Sequence, residues 1–169
     1  MDEAILTWLQ ENRDIAWVSI PALAFLEACP GVGLFISGVI LLSVSTLLYT
    51  EGILNLQQIL PMAFIAACVS DHIGFYLGRW SGTTLHKSSF AEKRKDSIQR
   101  AEAFIKKYGA LSIIGGRLLT AVRSLIPMLV GISGIRRLHF TLIDIVACLI
   151  WSTGLGLLIV GLDNLFTTG

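Results

Sequence analysis

Charged side chains are scarce in this chain of 169 residues, and this scarcity decides its class. Asp, Glu, Lys and Arg make up 15% of the residues, and 54% of the residues are hydrophobic. Ordinary globular domains carry about 25% charged residues. The three cysteines lie in separate apolar runs, which argues against a disulfide framework or a zinc site, and polar segments contain no Ser/His/Asp set or phosphate-binding loop. The sequence predicts an integral membrane protein that is not an enzyme and has no cofactor or metal.

The apolar segments predict two spanning helices and two broken hairpins. Residues 15–49 and 109–135 are each too long for one span and contain internal Pro and Gly, whereas residues 59–80 and 139–161 each fit about 20 residues across the hydrocarbon core. Pro and Gly interrupt helices, and such breaks are tolerated at membrane depth where they line a cavity. The residues that we assign to the hairpin breaks are Pro30, Gly31, Gly116, Pro127 and Gly131.

The order of the segments predicts one all-α membrane domain over residues 1–169, built as an inverted repeat. Half one covers about 1–80 and half two about 102–165, and each contains an amphipathic lead-in helix, a re-entrant hairpin and a spanning helix. Inverted repeats with interrupted helices recur in transporters. The alternative is that every hairpin arm crosses the membrane, which gives six spans. Arms of about 15–19 residues are near the lower limit for spanning, and this favours the re-entrant reading.

A basic loop between the halves predicts the orientation. It covers about 83–101, and its basic side chains extend over 86–107 with seven Lys or Arg against three acids. An excess of Lys and Arg marks cytoplasmic loops, so we expect a multi-pass protein of a bacterial cytoplasmic membrane with this loop inside. Interleaved acids and the lack of stacking aromatics argue against nucleic acid as a partner.

Arg117 and Arg123 lie inside an apolar segment and are the most informative charges of the chain. Each costs about 2.5–3.5 kcal/mol at mid-membrane by insertion scales, so we expect both to face a wet cavity, a partner or an anion. Guanidinium forms forked hydrogen bonds to phosphate. Glu27 lies near the first hairpin break, where it is a candidate proton carrier or the partner of either arginine; the sequence leaves both roles open.

Asp71 and Arg79 are further candidates within the first spanning segment, and Arg79 is also read as an interfacial anchor beside Trp80. Asp144 is expected to be an interfacial acid of the last span. Gly74, Gly78 and Gly82 recur every four residues, which predicts a smooth helix face for close packing.

Several motifs together resemble the DedA family, whose shared region is also called the VTT or SNARE-associated Golgi protein domain. The resemblance covers about Phe25 to Trp151. The motifs are Phe25-Leu26-Glu27, Asp71-x-x-Gly74-x-Tyr76-x-Gly78-Arg79-x-x-Gly82, Phe104-x-x-x-Tyr108-Gly109, and Arg117-x5-Arg123-x3-Pro127-x3-Gly131-x-x-Gly134.

The resemblance implies re-entrant hairpins and lipid translocation. Bacterial members are similar to flippases of undecaprenyl phosphate or phosphatidylethanolamine, and eukaryotic relatives look like phospholipid scramblases. The family's membrane-embedded acid corresponds to Glu27 and its arginines to Arg117 and Arg123. Many members carry a second acid in the first hairpin, where this chain has Val39. This departure weakens a scheme that needs two carboxylates, unless Asp71 compensates.

The sequence therefore predicts a transporter of a phosphate-bearing lipid. Its expected partners are membrane lipids, an anionic phosphate headgroup, protons as a candidate coupling ion, and a second copy of the chain as a candidate assembly. Two alternatives stay open. One is a proton- or cation-coupled antiporter of small solutes that uses Glu27 and Asp71, and the other is a scaffold in which Glu27 and an arginine form a purely structural pair.

Overall fold

A computed structural model describes residues 13–34, 37–81 and 123–168, together with the helical residues Ala103 and Lys107. Every regular element in these ranges is a helix, which confirms the all-α class. The five longest, here labelled α1 to α5, are α1 Arg13–Ala28, α2 Gly38–Thr50, α3 Leu56–Ser81, α4 Ile126–Ile132 and α5 Arg137–Thr168. The lead-in helix is predicted over 1–14, and its residues 1–12 lie outside the described residues, as do Gly116, Arg117 and the basic loop apart from Ala103 and Lys107. Residues 13 and 14 belong to α1.

The first hairpin breaks where Pro and Gly predicted it. Helix α1 ends at Ala28, Gly31 has φ +87°, and a short 3₁₀ turn covers Val32–Leu34. Helix α2 begins after Ser37, whose hydroxyl accepts a hydrogen bond from the Val39 amide at 3.3 Å. The 13 residues of α2 extend about 20 Å, less than the roughly 30 Å of a hydrocarbon core. This length agrees with a re-entrant arm.

Helices α3 and α5 are the two described helices that are long and apolar enough to cross a membrane, over Leu56–Trp80 and Arg137–Leu165. A reciprocal cap starts α3, because Asn55 Oδ1 accepts from the Gln58 amide and Gln58 Oε1 accepts from the Asn55 amide, both at 3.0 Å. Large apolar side chains are exposed along α5, including Leu142, Leu149 and Leu157. Such a surface fits lipid contact.

Helix α4 corrects one of the assigned breaks. Pro127 lies in the first turn of α4, where its missing N–H is tolerated, so it marks the start of a hairpin arm. Gly131 lies inside α4 and does not break it. A Cβ at Gly131 would overlap the Phe75 carbonyl oxygen of α3, so this glycine serves helix contact.

Close contacts of α3 with α4 and with the turn after α1 confirm the small-residue face predicted for Gly74 and Gly78. A Cβ at Gly74 would lie 2.8 Å from Pro30 Cγ, and one at Gly78 would overlap the Met128 carbonyl oxygen. Glycines allow helix backbones to approach in this way. Gly82 lies outside the described residues.

Substitution of Gly78 by Ala should lower the thermal unfolding temperature in detergent, because the added Cβ must push α4 away. We expect a loss of about 1–3 kcal/mol in the free energy of unfolding, the usual cost of overpacking. Gly154→Ala in α5 is the matched control, since nothing lies within 4 Å of its Cβ position; it should be neutral or gain up to ~1 kcal/mol from helix propensity. Equal effects of the two substitutions would contradict the close contact.

Two apolar clusters form the core, and a layer of polar residues separates them. The first cluster contains Ala66 of α3 and Leu155 of α5, and the second contains Phe75 of α3 and Ala147 of α5. Between these levels the two helices carry buried polar side chains. We call the following residues the polar layer: Glu27, Ser70, Asp71, Arg123, Cys148 and Ser152. Asp71 lies roughly 14 Å along α3 from Trp80, which is about half the thickness of the hydrocarbon core.

Candidate functional site

An ion pair between Glu27 and Arg123 forms the centre of the polar layer. Glu27 lies in the last turn of α1 with 1% of its surface exposed, and Arg123 is the first residue of the turn that leads into α4. The Arg123 Nη2 donates to Glu27 Oε1, and it also lies 3.4 Å from the Glu27 backbone oxygen. The sequence left the partner of Glu27 open, and the structure pairs it with Arg123.

The negative charge at the end of α1 explains why a guanidinium is stabilised at this position. The last carbonyl groups of a helix lack partners within the helix, and the dipole places partial negative charge at this end. The Glu27 carboxylate adds a full negative charge at the same place. Arg123 therefore compensates both the side chain and the helix terminus from one position.

Two glycines allow the hairpin tip to fold tightly around the pair. A Cβ at Gly33 would overlap the Glu27 backbone oxygen, and a Cβ at Gly38 would lie 2.6 Å from Glu27 Oε1 and 3.9 Å from Arg123 Nη1. Any side chain at these positions would displace the carboxylate or the tip. The chain at Gly33 and the first turn of α2 thus pack directly against the ion pair.

A small cavity adjoins the ion pair and brings Asp71 to it. Glu27, Asp71 and Arg123 supply its charged groups, and Trp151 supplies a large aromatic wall. Three alanines complete the lining: Ala24, Ala28 and Ala67. The cavity has room for about one water molecule. Ser124, next to Arg123, is also buried, and its hydroxyl has no hydrogen-bond partner within the described ranges.

A second carboxylate lies near the ion pair, although this chain has Val39 where an acid was expected in the first hairpin. Val39 is 65% exposed on α2, whereas Asp71 is 2% exposed and faces the same cavity as Glu27. The second carboxylate near the ion pair therefore comes from the spanning helix α3.

Two predicted site residues do not join this cavity. Arg79 is exposed, two turns further along α3, and donates from Nη1 to the Ile135 carbonyl oxygen at 3.1 Å. This contact fits the alternative reading of Arg79 as an anchor, and its assignment to substrate binding is not supported by position. Arg117 lies outside the described residues.

The structure also corrects the expectation for Asp144 and shows a cluster that sequence reasoning missed. Asp144 is fully buried, because it lies on the side of α5 that faces α3, and its Oδ2 is 3.4 Å from His72 Nδ1. Cys68 and Cys148 lie beside it, with the two sulfurs and a carboxylate oxygen all within 4.8 Å of one another. The sequence signal is a pair of four-residue spacings, Cys68 to His72 and Asp144 to Cys148.

Comparison with known proteins identifies the family of this chain. The family model of the VTT domain matches residues 21–160. The chain belongs to the VTT family, also called the DedA family. This VTT chain is 28% identical over 144 residues to the inner membrane protein YabI of Escherichia coli, covering 85% of this chain and 57% of that protein.

Two further bacterial membrane proteins are similar to this chain. The chain is 29% identical over 118 residues to the inner membrane protein YghB of Escherichia coli, covering 69% of this chain and 54% of that protein. It is 24% identical over 151 residues to the uncharacterized membrane protein BU139 of Buchnera aphidicola, covering 89% of this chain and 59% of that protein. The chain thus spans less than two thirds of the length of these relatives. No solved structure matches. Family membership and the relatives' names support a membrane location.

Proposed function

We propose that this VTT protein moves a phosphate-bearing lipid between the leaflets of a bacterial cytoplasmic membrane, with undecaprenyl phosphate or a phospholipid such as phosphatidylethanolamine as its cargo. The observation that carries the proposal is the Arg123 guanidinium, held by a carboxylate in the polar layer. Phosphate presents the same paired oxygens as a carboxylate to a guanidinium. A headgroup phosphate is therefore a chemically matched replacement for Glu27.

The proposed transport step exchanges the partner of Arg123. Glu27 releases the guanidinium when it takes up a proton, and the phosphate then accepts the guanidinium hydrogen bonds while the lipid tails stay in the bilayer. The buried Ser124 hydroxyl is a neighbouring donor for a phosphate oxygen. Arg117 is the proposed second phosphate ligand. The proposal assigns no catalytic chemistry to the chain.

The small size of the cavity means that, under this proposal, the turn between α1 and α2 moves during transport. A cavity with room for one water molecule cannot hold a phosphate headgroup. The present arrangement thus corresponds to a closed state in which Glu27 occupies the place of the anion. Pro30 and Gly31, in the turn between α1 and α2, are the positions at which the proposed movement takes place.

A second candidate function is proton- or cation-coupled antiport of a small solute, and the position of Asp71 favours it. Glu27 and Asp71 face one cavity, which is the arrangement that two coupling carboxylates need. In this alternative the two acids carry the coupling ion, and the lipid plays no part.

Lipid translocation in proteoliposomes separates the candidates. The wild-type protein is compared on undecaprenyl phosphate, phosphatidylethanolamine and undecaprenol, which lacks phosphate, each with and without a pH gradient. We expect protein-dependent movement of at least one phosphate lipid and only background movement of undecaprenol. Equal movement of undecaprenol would contradict recognition of the phosphate. Movement of no lipid, combined with solute uptake driven by the pH gradient, would support the antiporter.

A further inference from the structure

A second group of polar side chains lies between α3 and α5, beyond the Glu27–Arg123 pair. Cys68 and His72 are four residues apart on α3, and Asp144 and Cys148 are four residues apart on α5. Residues at this spacing are neighbours on one face of a helix. Two such pairs on facing helices bring together four side chains of three metal-ligating types, as in metal sites inside helix bundles.

The distances within the group are those of a site that can close around an ion. One ligand atom each from Cys68, Asp144 and Cys148 lies within 4.8 Å of the others. With ligand bonds of about 2.0–2.3 Å, a tetrahedral zinc ion holds its ligand atoms roughly 3.5–3.8 Å apart. The three atoms therefore need to approach by about one ångström at most, which side-chain rotation can supply.

His72 positions the carboxylate of this group. Its Nδ1 lies 2.8 Å from the Cys68 backbone oxygen and 3.4 Å from Asp144 Oδ2, and its Nε2 lies 3.1 Å from the Thr141 hydroxyl. Hydrogen-bonded neighbours of this kind orient metal ligands and commonly change affinity by about 10–100-fold. His72 is thus a positioning residue whose own ring is already held on both sides.

Asp71 contacts one member of this group. The Cys148 thiol donates to Asp71 Oδ2 at 3.8 Å, and this hydrogen bond ends when the thiol loses its proton to become a metal ligand. The ligand atoms that lie within 4.8 Å of one another do not include the Asp71 carboxylate, so Asp71 is a neighbour of Cys148 and not a fourth ligand. Asp71 also faces the cavity beside Glu27, so it lies between the two sites.

We propose that Cys68, Asp144 and Cys148 form a three-ligand binding site for a thiophilic divalent ion of the zinc type. Two thiolates and carboxylate oxygen suit zinc better than magnesium or calcium, which prefer oxygen ligands alone. His72 and Cys68 are partly exposed, whereas Asp144 and Cys148 are fully buried. An ion held by these ligands joins α3 to α5.

Metal content of the purified, reduced chain tests this site. After exchange with Zn²⁺ and removal of excess metal, we expect one zinc ion per chain by elemental analysis. With Co²⁺ as the probe we expect a thiolate charge-transfer band and the d–d absorption of tetrahedral cobalt. Because thiols must lose protons to bind, binding should release protons and strengthen as the pH rises.

Cysteine variants make the test specific. Cys68→Ser and Cys148→Ser should each remove the cobalt charge-transfer signal and the bound zinc, whereas Cys29→Ser should keep both, because Cys29 lies in the first hairpin turn outside the group. His72→Ala should weaken zinc binding by about 10–100-fold. Lack of zinc in the folded wild-type protein, or an equal loss in the Cys29 variant, would overturn the proposal. Circular dichroism and size-exclusion chromatography establish that each variant is folded, and neither outcome depends on lipid transport.

Discussion

Arg123→Ala should reduce protein-dependent lipid translocation to the background of empty vesicles. The guanidinium is the cation that meets the phosphate in the proposed exchange, and each hydrogen bond to a charged group is worth about 1.5–3 kcal/mol. The loss of one such bond corresponds to a reduction of about 10- to 100-fold, and Arg123 donates more than one. The measurement is the rate of headgroup movement for the preferred lipid in proteoliposomes at matched protein content.

Two further variants separate charge from geometry. Arg123→Lys keeps the positive charge but loses the planar fork, so we expect translocation well below wild type and above that of Arg123→Ala. Glu27→Gln keeps the size of the side chain but cannot release a proton, so translocation should lose its response to a pH gradient. A folded Arg123→Ala variant that transports at the wild-type rate would exclude Arg123 as the phosphate ligand.

Replacing either Glu27 or Arg123 alone by an apolar residue should destabilise the protein much more than replacing both. Glu27→Leu and Arg123→Leu each leave one buried charge without its compensating partner, which typically costs about 3–5 kcal/mol. The double variant Glu27→Leu/Arg123→Leu removes both charges, and replacing a buried pair by apolar residues is often neutral or stabilising. We therefore expect thermal unfolding in detergent to fall sharply for each single variant and to recover in the double variant.

The double variant also tests the scaffold alternative. A folded, stable double variant without lipid translocation would show that the charges serve transport. A double variant that translocates lipid at the wild-type rate would instead identify the pair as a structural element. Single variants that are each within about 0.5 kcal/mol of wild type would contradict the burial of the pair, since substitutions away from such features usually stay in this range.

Local signals predicted the fold better than they predicted the site. Pro30 and Gly31 mark the hairpin break because their effect on the backbone needs no information from the rest of the chain. The partner of Glu27 was left open because Arg123 lies 96 residues away, and no helical spacing links two separate hairpins. Gly131 was predicted to break a helix but lies inside α4. A glycine that permits close contact with α3 looks the same in sequence as one that ends a helix.

Asp144 and the cysteines show why burial within a membrane helix is hard to predict. Asp144 was placed at the interface by counting from the expected start of the last span. The helix begins at Arg137, and the orientation of α5 against α3, which periodicity in an almost wholly apolar segment does not indicate, buries its carboxylate. Cys68 and Cys148 are likewise distant in sequence and adjacent only after α3 and α5 pack.

The one-to-one pairing of Glu27 with Arg123 has an electrical consequence for the proposed exchange. The charges of the Glu27 carboxylate and the Arg123 guanidinium cancel, and so do those of a singly charged phosphate and Arg123 when Glu27 is protonated. Moving one elementary charge across a membrane is worth about 2.3 kcal/mol per 100 mV, and this exchange moves none. Transport of a lipid whose only charge is this phosphate, such as singly charged undecaprenyl phosphate, would be electroneutral, so a proton gradient would drive it and the membrane voltage would not.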